Sequence, residues 1–216
     1  MKDYKTKSAI VGLSFAVILL VLGIAFSSGT NGGAVSTNAG FITELATQVR
    51  DVKHELSMVR KELDYTNKAL TWGTTPRIAK AIDRHADNID IPRKIAWKLV
   101  EIESGFDSTA VSGAGAVGLT QLLLPTAQEV LENNPRFWMD SIYGYNQGWQ
   151  HPVPPSLTRD TLFNVDLNLK LGFTYLKTMH EKFSSWEHAL SAYNGGPTRV
   201  GRGWRNRFYE KYILGE

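Results

Sequence analysis

The rhythm of apolar and polar positions changes several times along the chain. Between Ser8 and Ser28 no charged residue occurs, and no polar face interrupts the centre, AIVGLSFAVILLVLGIAF. A run of that length predicts a single membrane-crossing helix. Residues 27–40, SSGTNGGAVSTNAG, are small and polar and read as a flexible linker. A different pattern follows. Ile42, Leu45, Val49, Val52, Leu56, Val59, Leu63, Thr66 and Leu70 alternate steps of three and four without a break. That is a heptad repeat, with Ile42, Val49, Leu56, Leu63 and Leu70 at one core position and Leu45, Val52, Val59 and Thr66 at the other. It predicts either a left-handed coiled coil, with Glu55 reaching Arg60 of a neighbouring parallel chain, or an amphipathic helix folded back on its own domain.

Thr71 to Pro76 breaks this pattern, and the domain that follows is predicted to be helical. Ile78, Ile82 and His85 mark a first short helix, and Asn88 to Pro92 a turn. From Pro92 to Ile102, Ile95, Leu99 and Ile102 recur at helical spacing, with Pro92 suited to the first turn and Gly105 to the stop. Asp166 to Phe183 carries the stripe Leu167, Leu171, Tyr175 and Met179, with Asn168 as a packing or hydrogen-bonding residue. Trp186 to Tyr193 is the next helix, stopped by Gly195-Gly196-Pro197. No convincing alternating strand occurs beyond Pro76, so the fold class is all-α or mostly α. The organisation expected is 1–28 cytoplasmic tail and anchor, 29–40 linker, 41–71 heptad helix and 77–216 globular domain.

Composition narrows this picture in a few places. A chain of 216 residues, 43% hydrophobic, allows one ordinary domain with appendages. A formal charge of +3 is mild, suits an anionic polymer or membrane surface, and comes with no nucleic-acid motif. The absence of cysteine removes disulfides, thiolate metal sites and a lipoprotein attachment point. His54, His85, His151, His180 and His188 show no metal-ligand spacing, and no cofactor is expected. Lys2, Lys5 and Lys7 precede the apolar run and should stay cytoplasmic, which sends the remainder to the other side. A cleaved signal peptide ending near Ala25-Phe26-Ser27 is the rival reading, and it leads to the same side.

The chemistry concentrates in Glu101 to Ala127, EIESGFDSTAVSGAGAVGLTQLLLPTA. Glu103 falls at the end of a helix, on the face of Leu99 and Ile102, where partial desolvation raises the pKa of a carboxyl toward that of a general acid. The small-residue run Ser112 to Gly118 lets backbone approach a ligand closely. Asp107 and Asp166 are the nearest candidates for a second carboxylate, although Asp107 reads more simply as a turn residue.

Glu103-Ser104, then Gly115 to Gln121 with Thr126-Ala127, then Asn168-Leu169 with Gly172 and Tyr175-Leu176, and finally Ala192-Tyr193-Asn194-Gly195-Gly196 together resemble the soluble-lytic-transglycosylase (SLT, goose-lysozyme-like) family. The resemblance extends from about Ile78 to near the C-terminus. It implies a lysozyme-like α fold and cleavage of the N-acetylmuramic acid–N-acetylglucosamine bond in peptidoglycan, giving 1,6-anhydromuramyl ends, with no cofactor. Glu103 would serve as acid and then base. Ser104 and Gln121 would hydrogen-bond near Glu103 or the substrate N-acetyl group, Tyr193 would orient one or the other, and Asn194 would support the cleft wall. Gly118 and Leu119 would let backbone close on the sugar. Thr120 stands where the family often has methionine, Pro125 is shifted by one, and Trp204-Arg205-Asn206-Arg207 replaces a Pro-Glu-Thr segment, which puts that glutamate's role in doubt. The connection between Ala127 and Asn168 is longer than usual and carries Phe137, Trp138, Tyr143, Tyr145 and Trp149, which either stack on sugars or cover a small satellite core. Arg199, Arg202, Arg205 and Arg207 read as a basic solvated tail or a contact for an anionic polymer. The partners expected are glycan strands, the membrane and other copies of the chain through residues 42–70, with no nucleic acid. The location expected is the cytoplasmic membrane with the domain facing the wall, or a virion if the chain is of phage origin. A lysozyme-type hydrolase and a non-catalytic wall-binding scaffold are the alternatives.

Overall fold

The computed structural model describes residues 34–134 and 157–215. The apolar run expected to cross a membrane and the aromatic residues Phe137, Trp138, Tyr143, Tyr145 and Trp149 of the long connection lie outside the described residues. Among the described residues no helix is long and apolar enough to cross a membrane. Helix α1, Ala34–Trp72, begins inside the stretch read as a linker. Nothing from Ala34 to Gly40 forbids this, since the stretch has no proline and Gly40 alone weakens a helix.

The chain divides into two compact units, Met1–Arg60 and Lys61–Glu216. The heptad side chains of the first unit are exposed or half-buried. In the second unit, the end of α1 packs as part of the globular core: Ala69 is buried, and Tyr65 and Trp72 lie against the same cluster. The Trp72 ring meets Trp97 at 5.1 Å and Phe106 at 6.0 Å between centroids. Lys68 Nζ donates to Asp83 Oδ1 at 2.7 Å, and Trp97 Nε1 donates to the same oxygen at 2.7 Å. The globular unit therefore starts at Lys61, ahead of the Thr71–Pro76 break. The heptad pattern hides this because these core contacts come from residues off the heptad stripe.

Helix α2, Pro76–Ile89, is capped by Thr75, whose side chain accepts from Ile78 N, and Pro76 sits in its first turn, where no amide is needed. Helix α3, Arg93–Ser104, takes Pro92 as its N-cap and ends at Gly105 with φ +57°, as the sequence predicts. Helix α4, Leu124–Asn133, and a 3-10 turn, Asp160–Phe163, precede the long α5, Val165–Phe183, which is capped by Asn164. Helix α6, Trp186–Gly195, runs through Gly196 into the short α7, Pro197–Gly201, and α8, Arg207–Leu214, closes the domain. Strand structure among the described residues is limited to the isolated bridges Val111–Val117 and Val117–Leu122. The fold is mostly α, as expected.

The larger core joins α2, α3, α5, α6 and α8 around Leu99, Leu169, Phe173 and Ile213. A second cluster, including Val117, Leu131, Leu162 and Leu171, fixes the segment after α3 against α4 and α5.

Candidate active site

Glu103 is the penultimate residue of α3, so its backbone is fixed by the helix while its side chain projects beyond the last full turn. It is half-buried. Burial pushes its carboxyl above the ordinary glutamate range, and a hydrogen bond from the Tyr209 hydroxyl to Oε1 pulls in the other direction. Burial outweighs the hydrogen bond, so the proton is held more tightly than on a solvated glutamate. Neither candidate second carboxylate is bonded to it. Asp107 accepts from Thr109 N at 2.8 Å and Thr109 Oγ1 at 2.7 Å, which holds its carboxyl below the usual range, as expected of a turn residue. Asp166 pairs with Arg84 and His85.

Beside the end of α3 lies a backbone shelf, residues 117–122, and its shape follows from a few contacts. Ser104 Oγ lies 2.9 Å from Leu119 O and 3.2 Å from Val100 O, so its single proton ties the end of α3 to the shelf. Leu119 contributes backbone, since its side chain is fully buried. Gly118 has φ +76°, and a Cβ there would meet Asn168 Nδ2 at 2.5 Å and Leu162 O at 2.9 Å. Glycine is required on both counts. Gln121, also at positive φ (+47°), donates from Nε2 to Gly118 O at 3.0 Å and Ala110 O at 3.2 Å, which closes the turn on itself.

Asn168, 1% exposed, holds this shelf from α5. Its carboxamide oxygen accepts from Thr120 N at 2.9 Å and Thr120 Oγ1 at 2.8 Å. Its nitrogen donates to Val117 O at 2.9 Å and Leu162 O at 3.0 Å. Thr120 therefore does more than fill space: its hydroxyl is part of the shelf's support, and a Cβ on Gly172 would lie 2.3 Å from it.

The Tyr193 hydroxyl donates to Thr120 O at 2.7 Å, so its bond goes to the shelf and Tyr209 supplies the one on Glu103. Burial raises the pKa of the half-buried Tyr193 and of the buried Tyr209, and the charge of Glu103 adds to it in both. The structure thus brings Ser104, Gly118, Leu119, Gln121 and Tyr193 together on the shelf at the end of α3, while the side-chain bond of Glu103, on that helix end, goes to Tyr209. Asn194 is exposed, and its Oδ1 accepts from Asn206 Nδ2 at 2.9 Å, which ties the end of α6 to the start of α8.

The sequence reading passed over Tyr209 and Glu210. Glu210 is 3% exposed and accepts from Arg205 Nη2 at 2.7 Å and from Ser191 Oγ. Ser191 Oγ in turn accepts from Asn206 N at 2.8 Å. These bonds lock the first turn of α8 to α6 and so set the position of Tyr209. Arg205 is therefore a buried acid's partner rather than a residue of a solvated tail. Tyr209 and Ile213, four apart in a helix, were the available signal for the inward face.

The sequence model of the Transglycosylase SLT domain family matches residues 80–213. A Haemophilus influenzae relative is 28% identical over 163 residues, 75% of this chain and 24% of its own length. The soluble lytic murein transglycosylase of Escherichia coli K12 is 29% identical over 122 residues, 56% of this chain and 16% of its own. The chain therefore corresponds to a quarter or less of these relatives. Among solved structures, lytic transglycosylase Slt of Pseudomonas aeruginosa aligns with a TM-score of 0.46 and 25% identity over 62% of this chain and 22% of that one. The 70 kDa soluble lytic transglycosylase of Escherichia coli aligns with a TM-score of 0.44 and 25% identity over 63% and 18%.

Proposed function

The chain belongs to the Transglycosylase SLT domain family, and on that footing we propose that it is a membrane-anchored lytic transglycosylase that cuts peptidoglycan glycan strands with Glu103 as its acid and base. The observation that carries this reading is the state of Glu103: a half-buried carboxyl with raised proton affinity and a phenol hydroxyl on one oxygen. A glycosidase that activates water or forms a glycosyl-enzyme needs a second carboxylate, and both candidates are engaged elsewhere, Asp107 by Thr109 and Asp166 by Arg84 and His85.

With one carboxyl, the substrate itself supplies the nucleophile. Glu103 gives its proton to the oxygen between the muramyl and glucosaminyl residues as that bond breaks. The carbonyl oxygen of the muramyl N-acetyl group closes on its own anomeric carbon and forms an oxazolinium ion. Glu103, now a carboxylate, takes the proton of the muramyl 6-hydroxyl, whose oxygen displaces the N-acetyl oxygen from the anomeric carbon. The ring closes as a 1,6-anhydro sugar, and no water is consumed. A single group must therefore be an acid in one step and a base in the next, and a pKa raised toward neutrality suits both.

Ser104, Gly118, Leu119 and Gln121 form the backbone shelf against which the sugar is held. Tyr193 supports that shelf, and Tyr209 fixes the rotamer of Glu103. The three lysines before the uncharged run Ser8–Ser28 support an N-terminus in the cytoplasm and a catalytic unit on the wall side of the membrane. Mass spectrometry of digested sacculi tests the reaction. Muropeptides lighter by one water, carrying anhydro ends, are expected; reducing ends alone would make the enzyme a hydrolase.

A further inference from the structure

The heptad stripe of α1 is absorbed by neither the fold nor the proposed chemistry. The large apolar side chains exposed among the described residues are eleven, and six of them lie on that stripe. Their exposure runs from 44% at Val49 to 75% at Leu70. The turns that belong to the globular unit are informative here. In heptad register Tyr65 and Trp72 occupy position c, Lys68 position f and Ala69 position g, and these are the residues that face the core of the unit or bond to it. Leu63 and Leu70, in the same turns but at position a, remain 56% and 75% exposed. The domain thus grips one face of the helix and leaves the a/d seam open to its end.

We propose that this seam pairs, parallel and in register, with the same seam of at least one further copy of the chain. The charges select the occupant and its direction. In a parallel pair each g residue faces the e residue of the next heptad on its partner, which sets Glu55 against Arg60 and Gln48 against Lys53. An antiparallel pair would set e against e, bringing Lys53 and Arg60 toward their own counterparts. The other acidic g residue, Glu62, is turned to Lys80 of its own domain and is not needed for pairing. The seam runs on to Leu70, inside the unit that begins at Lys61, so pairing along it brings several catalytic units together. On a fixed polymer this raises the local concentration of sites without any change in the site itself.

The chain has no cysteine, so single cysteines report pairing directly. Val49→Cys and Leu56→Cys lie at position a, where parallel partners bring like residues together, and His54→Cys lies at position f on the outer face. The full-length chain in its membrane is oxidised and resolved without reductant. The expected result is a covalent dimer from either seam cysteine in at least about tenfold excess over His54→Cys, lost when Leu63→Asp is added. Glu55→Arg should reduce the yield several-fold, and Arg60→Glu in the same chain should restore it. Equal cross-linking at all three positions, or none at the seam, would overturn the proposal. Failure of the charge reversal to restore pairing would overturn its register. None of these readouts depends on enzymatic activity, so the outcome is separable from that of the proposed reaction.

Discussion

Replacing Asn168 by leucine tests whether the shelf beside Glu103 is held from α5. The two side chains are close in size, so the change removes polar atoms with little change in volume. Four hydrogen bonds go, to Thr120 N, Thr120 Oγ1, Val117 O and Leu162 O. The Thr120 hydroxyl keeps a second acceptor, the carbonyl of residue 168 at 3.3 Å. The Val117 carbonyl keeps its bond from Leu122 N at 3.1 Å, whereas the Thr120 amide and the Leu162 carbonyl are left unpaired in an interior site. Each such group costs roughly 1–3 kcal/mol. Because the shelf can shift and admit water, we expect about 3–5 kcal/mol in all, a large share of the ~5–15 kcal/mol typical of a domain. At a urea slope of about 2 kcal/mol per molar, the midpoint of the Lys61–Glu216 fragment should fall by about 2 M. A loss below about 1 kcal/mol with unchanged slope would mean that the shelf stands without Asn168, and the account of its support would be wrong.

Other consequences can be measured in the same protein. Trp72→Ala should destabilise the Lys61–Glu216 fragment by about 2–4 kcal/mol, read from thermal or urea unfolding, because it strips a half-buried ring from Trp97 and Phe106; a change near zero would place the end of α1 outside the core. Tyr209→Phe removes the donor that favours the Glu103 carboxylate, so Glu103 should hold its proton to still higher pH and the descending limb of kcat/KM should move upward. The same variant should lose roughly 10- to 100-fold in rate, the worth of one hydrogen bond to a charged group, and a limb that stays in place would separate Tyr209 from Glu103. Glu103→Gln should gain stability relative to wild type as pH rises. A carboxyl whose folded pKa is raised favours the fold fully below the unfolded value, near 4.5, and loses that contribution as pH climbs through the folded value. The difference in Tm between variant and wild type should therefore grow from about pH 4 upward and then level off; a constant difference would contradict the raised pKa.

The helices were legible where one face carries the signal. Ile95, Leu99 and Ile102 announce α3, and Gly105 announces its end, so the place of Glu103 could be read directly. The demand for glycine at 118 was legible only as a small-residue run, because its cause, Asn168 Nδ2 and Leu162 O, comes from distant sequence. The contacts that the end of α1 makes with the core are hidden in the sequence for a related reason. Periodicity reports the strongest stripe on a helix, and Tyr65, Lys68, Ala69 and Trp72 lie off the heptad stripe. Tyr209 was hidden by its neighbours: Arg205, Arg207 and Lys211 give the C-terminal stretch the look of a solvated basic tail, whereas Arg205 is folded onto Glu210. Such pairing cancels charges that composition counts as free.

The central claim is that one protonated carboxyl, Glu103, performs the bond cleavage. Turnover of purified sacculi by Glu103→Gln, compared with wild type at equal folded concentration, tests it most directly. Glutamine keeps the shape and the contact with Tyr209 but has no proton to give. The account predicts a rate lower by about 100- to 10,000-fold, with circular dichroism and sacculus binding unchanged. A Glu103→Gln protein that folds, binds and still releases muropeptides at more than about a tenth of the wild-type rate would contradict it.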